Sequence, residues 1–259
     1  SRFALRALKS REDLFDIYIM PIPWGETGWI WEDSEFRNWM DTRITQTQVL
    51  LQQKQLQPDI SLQVTIPNEF ENLCPLNIGF TAGIETDRVS PVWLQKANEE
   101  VHKVLVVSNH AKTVYENTEV PAQTPDGKKI QYKLETPVHV VGETTPQAEP
   151  EEIPGFEPFY DYNFLMVSQL GPRKNYENAI QGFVEEFIDQ EVGLIIKTQV
   201  RNNSKIDLQQ TEATLHKMLA KYPERKCKVH LLHGDLTNGQ MMELYTHEKV
   251  KAIINIAHG

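Results

Sequence analysis

Two lysines stand where a polyanion could be held. Lys174 lies in the turn of a strand–turn–helix pattern, and Lys197 ends the apolar run that follows. Residues 164–167 form an apolar run of buried-strand type, and residues 169–174 break it with Gly171 and Pro172. Ile180, Phe183, Val184, Phe187 and Ile188 then recur at the spacing of one helix face. A second apolar run covers residues 192–196. Strand, turn, helix and strand of this length predict a βαβ unit with parallel neighbouring strands. The turn then brings a helix N-terminus, with unpaired N–H groups and positive dipole end, beside two cations at one sheet edge. That combination suits a diphosphate. Two readings stay open at this point: a phosphate clamp, or two solvated loop lysines.

Other chemistry-bearing residues lie in the first half. Glu85 and Asp87 are the acids of a loop that follows the predicted strand 76–80, at the edge where such sheets bind ligands. Trp24, Trp29 and Trp31 crowd one loop. Flat apolar rings match the C–H face of a sugar, and the same cluster would equally pack a loop onto its domain.

The elements that must position these residues follow from patterning. Strands are predicted at residues 16–21, 61–66, 76–80, 103–107, 228–232 and 250–256, with helices at 1–9, 41–55, 91–99, 109–116, 208–222 and 238–245. Ser90 and Ser108 are expected helix caps. Residues 130–134 and 138–141 are expected to form a small extra strand pair. Residues 118–158 are rich in proline, and the acidic run 149–152 reads as an interdomain linker. The chain opens in a helix with no strand before it, so a first strand is expected upstream of Ser1.

The 259 residues suffice for two domains, and a net charge of −10 argues against nucleic acid as a partner. No apolar run approaches the roughly 18 residues that span a bilayer, and no secretory signal is visible. Cys74 and Cys227 lack metal-ligand spacing and read as reduced thiols of a cytoplasmic protein. No G-x-G-x-x-G follows a predicted strand, which weighs against a NAD-dependent enzyme.

The segment F-L-M-V-S-Q-L-G-P-R-K-N-Y-E-N-A-I-Q-G-F, residues 164–183, resembles the donor-binding segment of retaining glycosyltransferases of the "glycosyl transferases group one" family. V-H-L-L-H-G-D-L, followed by M-M-E-L-Y-T and V-K-A-I-I-N-I-A-H-G, resembles the family's next segment. W-L-Q-K-A-N-E-E-V-H-K-V-L-V-V-S-N-H-A-K resembles the strand and helix closing its acceptor domain. The resemblance implies an α/β fold of GT-B type, two Rossmann-like domains facing a cleft, both incomplete here. It implies an acceptor-side domain over residues 1–150, linker included, and a nucleotide-sugar-binding domain over residues 151–259. The implied activity is transfer of a sugar from a nucleotide-sugar donor to a glycan or other hydroxyl acceptor. Retention, no metal and no separate cofactor are implied as well.

By the same resemblance, Lys174 and Asn175 match the family's K-G or K-N, which holds the diphosphate. The family's arginine falls on Gln169, with Arg173 or Lys197 as substitutes. His258 and Gly259 would line the donor sugar, and the family's two-glutamate motif would follow Gly259. Ser108 and Lys112 resemble a turn facing the cleft from the acceptor side, where Trp24 would also lie. Glu85 would orient acceptor or sugar. The competing readings are a non-catalytic GT-B-like structural or glycan-binding protein and, more distantly, a nucleotide-sugar epimerase.

Overall fold

The computed structural model describes residues 2–22, 33–145 and 147–256. The chain divides into two compact units, Ser1–Thr144 and Thr145–Gly259. Each is a mixed α/β unit around a four-stranded parallel sheet.

The first unit runs α1 (Arg2–Lys9), α2 (Glu35–Gln52), β1 (Ile60–Val64), β2 (Leu76–Phe80), α3 (Pro91–Glu100), β3 (Lys103–Val106), α4 (Asn109–Asn117), β4 (Glu119–Gln123), β5 (Lys129–Lys133) and β6 (Val138–Val140). Its sheet has the order β1-β2-β3-β6. Leu94 and Ala97 of α3 and Ala111, Val114 and Tyr115 of α4 pack with Val104 and Val106 of β3. Gly79 lets the Phe70 ring lie directly on β2, where a Cβ would fall 2.3 Å from a ring carbon.

Three expectations change here. Residues 16–21 form no strand: the Ile19 N–H goes to Thr47 Oγ1 at 2.9 Å, and Tyr18 and Met20 stay exposed. Apolar residues in an extended run make a strand only where a neighbour completes the ladder. Residues 129–133 and 138–140 do not pair with each other. β5 pairs antiparallel with β4, while β6 joins the main sheet beside β3, burying Val138 in the core. Ser90 stands at the α3 N-cap without a side-chain capping bond, whereas Ser108 Oγ caps α4 by accepting the Ala111 N–H at 3.1 Å.

The second unit runs β7 (Asn163–Val167), α5 (Tyr176–Glu186), β8 (Gly193–Lys197), α6 (Lys205–Leu219), β9 (Lys228–Leu232), α7 (Asn238–Thr246) and β10 (Val250–Ile253). The β7–α5–β8 unit is parallel, with Asn163 opposite Gly193 and Val167 opposite Lys197. Side-chain alternation along the strands makes two layers. Met166, Leu194 and Ile196 face α5 and α6, and Leu165 and Ile195 face Leu244 of α7 and Ile153. The sheet order is β10-β7-β8-β9. The chain therefore moves outward from β7 to β9 and returns to the other side of β7. Connections diverge between β7 and β10, and in doubly wound sheets ligands bind outside the C-terminal strand ends at such a point.

The acidic run beside the prolines is fastened to this unit. The Glu151 N–H donates to Gly239 O at 3.1 Å, and Thr237 Oγ1 donates to the Glu151 carboxylate at 2.6 Å. No helix among the described residues is long and apolar enough to cross a membrane.

Candidate functional site: the turn between β7 and α5

Beyond β7 the chain is held in place before it turns. The Ser168 carbonyl accepts from Thr198 Oγ1 at 2.7 Å and from the buried Tyr176 hydroxyl at 2.8 Å. Pro172 opens a single 3-10 turn, Pro172–Lys174. Asn175 then takes a left-handed conformation with φ of 52°, which asparagine tolerates better than most residues. That kink sets the axis of α5.

The start of α5 is not capped by its own N-cap side chain. Asn175 Oδ1 accepts from Asn178 Nδ2 at 2.7 Å, so the first-turn N–H groups keep the outward polarity of a helix N-terminus. Lys174 is half-buried immediately before it. Among the described residues its ammonium makes no hydrogen bond or ion pair. Arg173 is exposed beside it. Glu177, in the first turn of α5, is the one acid there and partly offsets the positive end.

Gln169 and Lys197 are engaged elsewhere. The Gln169 amide donates to Val200 O at 2.7 Å. Lys197 alternates with Ile196 and so points to the α7 face, where its ammonium donates to Gly234 O at 2.6 Å. Burial pushes the Lys197 pKa down, against the opposing field of Asp235.

The residue that sequence reasoning missed is Asp207, 3% exposed. Its carboxylate accepts the backbone N–H groups of Val200, Arg201 and Asn202 at 2.8, 2.8 and 2.7 Å and that of Asn203 at 3.1 Å. Burial alone would raise its pKa. The N–H donors of Arg201, Asn202 and Val200, with His233, instead hold it well below the usual carboxylate range. His233 Nε2 lies 3.4 Å from Asp207 Oδ1, an approach without the geometry of a full hydrogen bond. The sequence signal was the spacing Ser204-x-x-Asp207, a capping pattern, and Ser204 Oγ does accept the Asp207 N–H at 3.2 Å. Predicting α6 to begin at residue 208 placed both residues in a loop and hid it.

In the first unit, Glu85 lines an open depression of about 300 Å³ with Thr86, Arg88, Ser90 and Trp93. Ser108 serves as the α4 cap, and Lys112 lies 3.6 Å from Glu116 one turn on. Trp24, His258 and Gly259 lie outside the described residues. Among the described residues, no group of three or more His, Cys, Asp and Glu side chains is arranged to hold a metal ion.

No protein-family model and no curated protein matches the chain. Among solved structures it is similar to one described as trehalose-6-phosphate from E. coli bound with UDP-2-fluoro glucose, at 9% identity and a TM-score of 0.37. That match covers 71% of this chain and 53% of the other. It is also similar to the apo structure of OtsA, at 9% identity and a TM-score of 0.35, over 67% of this chain and 51% of that one. The chain thus spans about half the length of both.

Proposed function

We propose that the chain is part of a glycosyltransferase of GT-B type and that its second unit binds the nucleotide-sugar donor. The observation that carries the reading is the position of Lys174. Its ammonium has no partner among the described residues and stands at the uncapped start of α5, in the connection that leaves β7 where the strand order diverges toward β10. The resemblance of residues 164–183 to the donor segment of retaining glycosyltransferases supports it.

In this reading the donor diphosphate sits at the turn, with Lys174 and the first-turn N–H groups of α5 against its oxygens. Cleavage of the bond between the sugar's C1 and the diphosphate oxygen leaves the electron pair on the diphosphate. Fixed donors aimed at that growing charge lower the barrier. A lysine and a helix start perform this without a divalent metal. Arg173, beside Lys174, adds a second cation to the same edge. The acceptor is a glycan or another hydroxyl compound, and Glu85 is the candidate carboxylate for orienting it.

A second reading is a non-catalytic protein of the same architecture that binds glycans. Gln169 favours it, because it stands where the family's arginine would be and spends its amide on Val200 O. Calorimetric titration with UDP, GDP and ADP, and with their hexose conjugates, separates the two. Donor binding predicts micromolar to millimolar affinity for one nucleoside diphosphate, unchanged by EDTA. Absence of binding to every nucleotide, or binding that returns only with manganese, contradicts it.

A further inference from the structure

We propose that Asp207 is the positioning residue of the β7–α5 turn, acting through the loop that follows β8; its consequence for ligand binding rests on the donor reading above. The coupling passes through one residue, Val200, and the two peptide units on either side of it. Val200 gives its N–H to Asp207 Oδ1 at 2.8 Å and offers its carbonyl to the Gln169 amide at 2.7 Å. The neighbouring carbonyl, that of Gln199, accepts the Leu170 N–H at 2.7 Å. Two successive carbonyls of the loop therefore hold two successive residues of the turn.

The loop has few means of holding itself. Residues 199–203 lie outside helix and strand, and Arg201 and Asn202 are exposed. Their N–H groups converge on one buried carboxylate, which gathers four consecutive donors. A single ionised acceptor thus replaces a backbone ladder. Thr211 Oγ1, 3.2 Å from Asp207 Oδ1, and the Ser204 cap fix the carboxylate on α6. Among the described residues none of the hydrogen bonds of Asp207 goes to the turn, so it positions and does not bind.

This assigns Gln169 a role that the resemblance to the glycosyltransferase donor segment leaves open. A side chain in the place of a phosphate-binding arginine becomes the tie that fixes the turn, and Lys174 carries the charge alone or with Arg173. Asp207→Asn keeps the shape of the carboxylate but replaces one acceptor oxygen with a donor, so the four N–H groups cannot all be satisfied.

Amide hydrogen exchange on the whole chain provides the test, with nucleotide titration beside it. In Asp207→Asn the amides of residues 200–203 and that of Leu170 should exchange at least about tenfold faster, with Ile195 in the sheet unchanged. Nucleoside diphosphate affinity should fall about tenfold, and this loss should vanish in a Lys174→Ala background, where the positioned group is gone. If Asp207→Asn does not fold, the parent decides the matter: Leu170 and residues 200–203 should exchange with one common opening constant. Loop amides that speed up while Leu170 keeps its parental rate, or separate opening constants in the parent, would overturn the proposal. A parent that binds no nucleotide refutes the donor reading, and the exchange data still decide the role of Asp207.

Discussion

Lys197 and Gly234 are joined by a 2.6 Å bond from ammonium to carbonyl oxygen, which ties the end of β8 to the loop that leads into α7. This lysine therefore serves the α7 side of the sheet, whereas Lys174 precedes α5 on the other. Lys197→Ala and Lys174→Ala should then act independently on nucleotide binding. Their losses in a calorimetric double-mutant cycle should add to within about 0.5 kcal/mol. A coupling above about 1 kcal/mol would show both ammonium groups on one diphosphate.

Asp207 predicts a pH dependence at the acid end. Its folded-state pKa is depressed, so the unfolded chain binds its proton first as pH falls. The stabilisation is fully present above the ordinary carboxylate value near about 4 and is lost progressively below it. Asp207→Asn should melt lower than the parent at neutral pH, by at least about 2 kcal/mol, and the difference should shrink below about pH 4. A difference that does not change with pH would mean that the carboxylate charge is not what holds the loop.

His230 predicts a second, milder window. Burial lowers its pKa, and its Nδ1 is buried without a hydrogen-bond partner beside Phe156 and Phe159, whose ring centroids lie 5.2 and 5.4 Å away. The unfolded chain again binds the proton more readily, so stability rises with pH just below the ordinary histidine value of about 6.5. Melting temperature should drop between about pH 7 and pH 5 in the parent, and less so in His230→Leu. Equal slopes in the two proteins would exclude His230 as the cause.

Gly239 predicts a packing effect. A Cβ there would fall 2.4 Å from Glu151 Cγ and 2.8 Å from the Glu149 carbonyl oxygen. Gly239→Ala gains about 1 kcal/mol of helix propensity but must displace the backbone of residues 149–151. Overpacking of this kind costs about 1–3 kcal/mol, so net destabilisation and faster proteolysis at residues 149–152 are expected. A stabilised variant with parental proteolysis would show that the acidic run yields at no cost.

The sequence was most legible where periodicity is strong. The run 192–196 and the face Ile180, Phe183 and Val184 gave β8 and α5, because a strand buried on both sides and a one-faced helix leave unmistakable apolar patterns. It misled where pairing decides the outcome. Residues 16–21 have strand composition and no ladder partner among the described residues, and β6 left its sequence neighbour for β3. At the candidate site, the turn and Lys174 were readable from Gly171, Pro172 and the helix pattern after them. Asp207 was not, because four N–H groups converging on one carboxylate depend on how a loop folds back, and composition does not record that. Nor could spacing show that Gln169 and Lys197 would be drawn to backbone carbonyls.

The donor-site reading stands or falls on Lys174, and its direct measurement is calorimetric titration of Lys174→Ala with nucleoside diphosphates beside thermal melts. A charge-assisted hydrogen bond to phosphate contributes about 1.5–3 kcal/mol, so affinity should fall about tenfold to a hundredfold. The melting free energy should change by no more than about 0.5 kcal/mol, as for a half-buried turn residue whose side chain makes no hydrogen bond or ion pair among the described residues. Parental affinity in Lys174→Ala, or a collapse of its melting temperature, would contradict the account.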